Sequence, residues 1–162
     1  MKRLRRGLRG ASLLLLFALL VAGCGSGAPS VDWRLTVSGA VASPLTLSYG
    51  DLASMPQVEL KDILMEKSQG EDQVTSWSGV SLDEIWKKAG VTDYVAVTAL
   101  AADGYALEIS KAELDGAIVA LKDATGWIVN TDKDHGPIRL VCPKAPGNRW
   151  VFQLTELQVI AP

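Results

Sequence analysis

His135-Gly136-Pro137-Ile138-Arg139-Leu140-Val141-Cys142-Pro143 decides how the chain is read. A His-Gly-Pro turn feeds a short apolar run, and a second proline stops it. Ile138 to Cys142 is too short for a helix and rich in branched residues, so it reads as a buried strand. Arg139 sits inside that strand. Arginine is almost never fully buried without a partner. It therefore either pairs with a carboxylate or presents its fork of donors to an anion in a pocket. Beyond Pro143, a Gly147-Asn148 turn leads into the aromatic-aliphatic run Trp150-Val151-Phe152.

Outward from this segment the chain is a series of short β runs. Trp33 to Ser38 and Leu45 to Ser48 alternate apolar and polar residues, as half-buried strands do. Ser48 to Met55 reads as one helical turn ended by Pro56. Val58 to Met65, Gln73 to Trp77, Tyr94 to Leu100, Tyr105 to Ile109, Ala117 to Leu121 and Leu157 to Ile160 read as further strands. Asp103-Gly104 is a hairpin turn. Leu82 to Ala89 is a helix, with Ser81 as N-cap, Glu84 completing a capping box and Gly90 as the stop. Ser110 to Leu114 reads as another capped helical turn. The fold class is α+β, mostly β.

The N-terminus is a different kind of sequence. Lys2, Arg3, Arg5, Arg6 and Arg9 precede an apolar stretch from Ala11 to Ala22, then Gly23-Cys24. A basic region, a short apolar core and small residues form a secretory signal. The apolar stretch is shorter than the roughly 20 residues that span a bilayer. Cys24 directly after Ala-Gly resembles a bacterial lipobox, so residues 1–23 read as a lipoprotein signal peptide and Cys24 as the lipidation site. Residues 24–32 form a tether, and residues 33–162 form the domain. The protein is expected to be extracytoplasmic, held to the membrane by its lipid, with an envelope protein as a possible partner.

Charge and cysteine content narrow the chemistry. The five basic residues leave with the signal, so 11 basic residues face 18 acidic ones and the mature chain carries −7. That balance argues against nucleic acid as a partner. Cys142 is the one thiol left and reads as a small buried hydrophobe. His135 is the only histidine; beside Asp132 and Asp134 it reads as part of a solvated turn, and no metal site is expected. Asp83 and Glu84 sit in the first turn of a helix, where acids favour the dipole. Trp77, Trp86, Trp127 and Trp150 read as core.

The order of the pieces resembles the molybdopterin-binding domain of the sulfite oxidase family, which includes the bacterial methionine sulfoxide reductase catalytic subunit. Leu35-Thr36-Val37-Ser38-Gly39 with Leu45-Thr46-Leu47 and Asp51-Leu52 is similar to the family's opening. Trp77-Ser78-Gly79-Val80-Ser81-Leu82 is similar to its W-x-G-V-x-L entry to a helix, and Asp103-Gly104-Tyr105 to its hairpin. The segment from His135 to Pro143 resembles its H-G-x-P-x-R-L-V-x-P, one residue shorter. The resemblance implies a molybdopterin cofactor whose metal is held by a cysteine thiolate before the W-x-G-V motif. Here that stretch, Met65 to Gly70, has no cysteine; Ser68 or Glu66 would offer only a harder oxygen. Arg139, His135, Arg149 and Lys144 are the candidate cofactor contacts that the resemblance leaves. The expected function is a non-catalytic binding or accessory module, with no assured cofactor. The alternatives are a molybdopterin-dependent oxidoreductase acting on a small oxyanion or sulfoxide, and an unrelated lipoprotein domain.

Overall fold

The computed structural model describes residues 27–130 and 136–162. Cys24 and His135 lie outside them. Two five-stranded sheets carry the domain. The first holds β1 (Arg34–Gly39), β2 (Leu45–Ser48), β5 (Ala96–Ala101), β6 (Ala106–Ser110) and β10 (Leu154–Ile160), in the order β2-β1-β10-β5-β6. The second holds β3 (Gln57–Met65), β4 (Gln73–Ser81), β7 (Ile118–Asp123) and β8 (Gly126–Trp127) in that order, with β9 (Arg139–Val141) added to β7. Helix α1 (Tyr49–Ser54) follows β2 and helix α2 (Leu82–Ala89) follows β4. The first and last strands, β1 and β10, are parallel neighbours, Thr36 opposite Glu156.

The alternation seen in the sequence is the alternation of burial. In β1, Leu35 and Val37 are buried while Arg34 faces solvent. Leu157 and Val159 do the same in β10. Strand β7 is different: Ile118, Val119, Ala120 and Leu121 are all buried. A strand covered on both faces has no polar face to show, which is why this run is continuously apolar. The buried residues of both sheets and both helices form one cluster.

Helix α2 forms as expected, with Leu82, Ile85, Trp86 and Ala89 on its buried face and Gly90 left-handed at φ 69°. Its cap is simpler than a box: Ser81 Oγ accepts from the Glu84 N–H at 3.3 Å. The reciprocal box forms at α1, where Ser48 and Asp51 exchange bonds. Three further details differ from the sequence reading. Strand β4 runs on to Ser81, because a register shift between Ser78 and Gly79 hides its alternation. Ser110 ends β6 and Lys111 to Leu114 are turns, not helix, although Glu113 Oε2 accepts from the Ser110 N–H and hydroxyl as a cap would. Trp127 is half-buried, against Tyr49 and under the Lys122 ammonium, 4.0 Å from its ring centre. Trp77, Trp86 and Trp150 are core. Ahead of β1, Ala28 and Val31 are half-buried on the core, and the Trp33 indole donates to the Leu154 carbonyl at 2.7 Å. No described helix is long and apolar enough to cross a membrane.

Candidate functional site

Strand β9 places Arg139 between two elements that the sequence alone keeps apart. On one side β9 pairs with β7, Arg139 opposite Ala120. On the other, Leu140 and Val151 exchange backbone hydrogen bonds of 2.7 and 3.2 Å. An antiparallel bridge there sets Arg139 opposite Phe152. The guanidinium carbon accordingly lies 4.5 Å from the Phe152 ring centre and 4.9 Å from that of Trp77. A cation held between two ring faces is attracted to both. Arg139 is only 6% exposed.

Two further contacts fix the rings. Trp77 donates its indole N–H to Thr75 Oγ1 at 2.9 Å and meets Trp150 edge to face. Gly136 (φ 38°) lies against the backbone of Gln153, where a Cβ would come within 2.6 Å of the Gln153 Cα. Only glycine fits that approach, which explains the glycine of the opening motif. Gln153 itself is buried and left-handed at φ 50°.

Arg139, Trp77 and Phe152 line a cavity of about 600 Å³. Its polar wall includes Lys67, Thr75, Ser76 and Thr125, together with Asp62 and Asp123. The chemistry on offer is a stacked cation, a second cation, two carboxylates, hydroxyl groups and aromatic surface. Such a wall suits a planar ligand carrying negative charge.

The other candidates are placed elsewhere. Arg149, in a 3-10 turn (Gly147–Arg149), turns its guanidinium to Glu113, with Nε to Oε1 at 2.7 Å and Nη2 to Oε2 at 3.1 Å. Its Nη2 also donates to the Glu108 carbonyl at 2.8 Å. The pair holds the Glu113 carboxyl down at about 2, through Arg149 first and Ser110 second. Arg149 therefore clamps two loops together and does not line the cavity. Lys144 is exposed and does not line it either. Sequence reasoning missed Trp77 and Phe152 as site residues, having read Trp77 only as core. The register of β9 was the signal that could have found Phe152.

Cys142 is fully buried in the apolar cluster, and burial pushes its thiol up to about 12. It is a packed hydrophobe and not a metal-binding thiolate. Its carbonyl accepts the Trp150 indole N–H at 2.8 Å.

The two sheets, the short helices and the cavity beside β9 define a sulfite-oxidase-like, mostly β domain. The chain belongs to the oxidoreductase molybdopterin-binding domain family, whose pattern it matches over residues 26–161. No curated protein matches it. Among solved structures it is similar to the sulfane dehydrogenase SoxCD from Paracoccus pantotrophus, with a TM-score of 0.70 and 23% identity. The match covers 84% of this chain and 41% of that one, so the chain spans less than half of its solved relative. At that identity the likeness concerns the fold.

The family implies a metal bound through a pterin, and the described residues fit its two halves unequally. Stacked Arg139, Lys67 and the hydroxyls suit the planar, anionic organic half. The metal half finds no matching donors among the described residues: no thiolate lines the cavity, and no three His, Cys, Asp or Glu side chains gather.

Proposed function

We propose that this protein is a membrane-anchored, extracytoplasmic lipoprotein whose molybdopterin-family domain is a non-catalytic binding or accessory module. Its Arg139 cavity takes a planar, anionic ligand of the pterin class. The observation that carries the reading is the donor set: a ring-stacked cation with hydroxyl groups, and no thiolate. A soft sulfur ligand tunes a bound metal's electronics, and the one described thiol, Cys142, is buried and held protonated. Arg139 supplies a charge already fixed in position, so little ordering is lost when an anion binds. Lys67 adds a second charge, while Trp77 and Phe152 exclude water and set the plane of the ligand.

Membrane attachment rests on Cys24 after the signal. The mature charge of −7 from 11 basic and 18 acidic residues repels anionic lipid, so the acyl chains hold the protein. Exchanging Cys24 for Ala moves the protein to the soluble fraction, and unchanged fractionation would defeat the lipoprotein assignment.

The ligand reading is tested on protein purified from its own host. Denaturation should release a fluorescent pterin without stoichiometric molybdenum. Stoichiometric molybdenum would overturn the non-catalytic reading in favour of the oxidoreductase alternative, acting on a small oxyanion or sulfoxide, which family membership favours.

A further inference from the structure

The sequence reads residues 24–32 as one loose tether, yet the later part of that stretch is docked on the domain. Ala28 and Val31 are half-buried against the core. The Trp33 N–H donates back to the Val31 carbonyl at 3.0 Å in a tight turn. The Trp33 indole is held by the Leu154 carbonyl, and the Trp33 carbonyl accepts the Tyr49 N–H at 3.0 Å. Gly27 stands clear, with nothing in reach of where a Cβ would be. The free leash therefore ends at Ala28 rather than at Trp33. From Cys24 that is four residues, which reach at most about 14 Å when fully extended.

The docking also fixes where the leash leaves the domain. Trp33 sits at the end of the first sheet where β1 and β10 start and β5 stops, with Ala101 opposite Leu154. Ala28 precedes Val31 by three residues, so it lies within about 10 Å of it. Strand β5 is six residues long, which puts the opposite end of the sheet about 20 Å away. The near end carries residues of the kinds that settle at a membrane–water boundary. Trp33 is half-buried, Arg34 is exposed, and Tyr105, beyond the Asp103-Gly104 turn, is 48% exposed. Asp32 and Asp103 are exposed among them. A surface with both signs suits zwitterionic headgroups, whereas anionic ones attract clustered cations. Phe152, on the wall of the Arg139 cavity, lies two residues from Leu154 at this same end.

We infer that the short leash holds this end of the domain, with Trp33, Arg34 and Tyr105, against a zwitterionic bilayer surface. The Phe152 side of the Arg139 cavity then lies toward the lipid, so the cavity is served close to the membrane. The inference rests on lipidation at Cys24 and adds which face the domain turns to the bilayer.

The test uses the lipidated full protein in nanodiscs of phosphatidylcholine with nitroxide-labelled headgroups. A fluorophore is attached at Ala102→Cys, beside Trp33, or at Thr92→Cys, ahead of the start of β5. Both positions are exposed, while Cys142 is buried and takes no label. The label at position 102 should lose most of its fluorescence, and the label at position 92 should keep it. Equal quenching at the two positions, or more at 92, would overturn the fixed face and leave the anchor standing. Inserting about ten Gly and Ser residues after Gly25 makes the tether slack and should abolish the contrast. A contrast that survives the insertion would overturn the leash as its cause. Labelled protein that elutes apart from the discs would overturn the anchor and the inference together.

Discussion

Two arginines ten residues apart in sequence have opposite fates. Arg139 is buried between two aromatic rings on a cavity wall. Arg149 is half-buried and met by a fork of carboxylate oxygens. Both looked like anion contacts in the sequence, since charge and neighbourhood are alike. The difference among the described residues is what each guanidinium meets: the Glu113 carboxylate at Arg149, and the faces of Trp77 and Phe152 at Arg139. A carboxylate meets the edge of the fork, whereas rings hold the cation in place through its faces.

The contrast can be broken from either side. The largest effect should follow from removing the surface that seats Arg139. Trp77→Ala takes away a core side chain that also meets Trp150, and should cost about 3–5 kcal/mol, read as a fall in the denaturant midpoint. Arg139→Met keeps most of the volume. It should cost about 1–2 kcal/mol in stability while weakening a monophosphorylated pterin at least about tenfold, the scale of a lost charged hydrogen bond. If binding survives that change, the cavity does not depend on the cation.

Arg149→Met should do the reverse. Its loss leaves Glu113 unmatched and should cost about 1 kcal/mol, since the pair is partly exposed, with pterin affinity unmoved. Acid should reproduce that loss in the unmodified protein. Glu113 has an ordinary value of 4.5 and is lowered to about 2 when folded. The unfolded chain therefore takes up the proton first. The contribution is whole above pH 4.5 and fades as pH falls toward about 2. Urea titrations through this window should show a shallower acid slope for Arg149→Met; parallel slopes would place the acid sensitivity elsewhere. Smallest of all is Lys144→Ala, an exposed change expected to move stability by less than about 0.5 kcal/mol and binding not at all.

What could be read from the chain follows the reach of each interaction. Strands with one wet face announce themselves, as β1 does, and so does a helix with local caps, as α2 does. Strand β4 was cut short because a register shift at Ser78 and Gly79 breaks the period of two. The site was harder. Arg139 stood out as a charge in an apolar run, but Trp77 reaches it only through pairing across β4, β7 and β9, and Phe152 only through the bridge of Leu140 to Val151. Glu113 lies 36 positions from Arg149, and nothing in the local pattern couples them.

The parallel pairing of β1 with β10 carries a consequence for the order of assembly. β10 lies in the middle of its sheet, with β1 on one side and β5 on the other. Until Leu154–Ile160 arrives, the strands on either side of it have no neighbour to join them, and that half of the core stays open. A chain emerging N-terminus first must therefore wait for β10 before this sheet can close, and losing those seven residues would split the sheet rather than trim its edge.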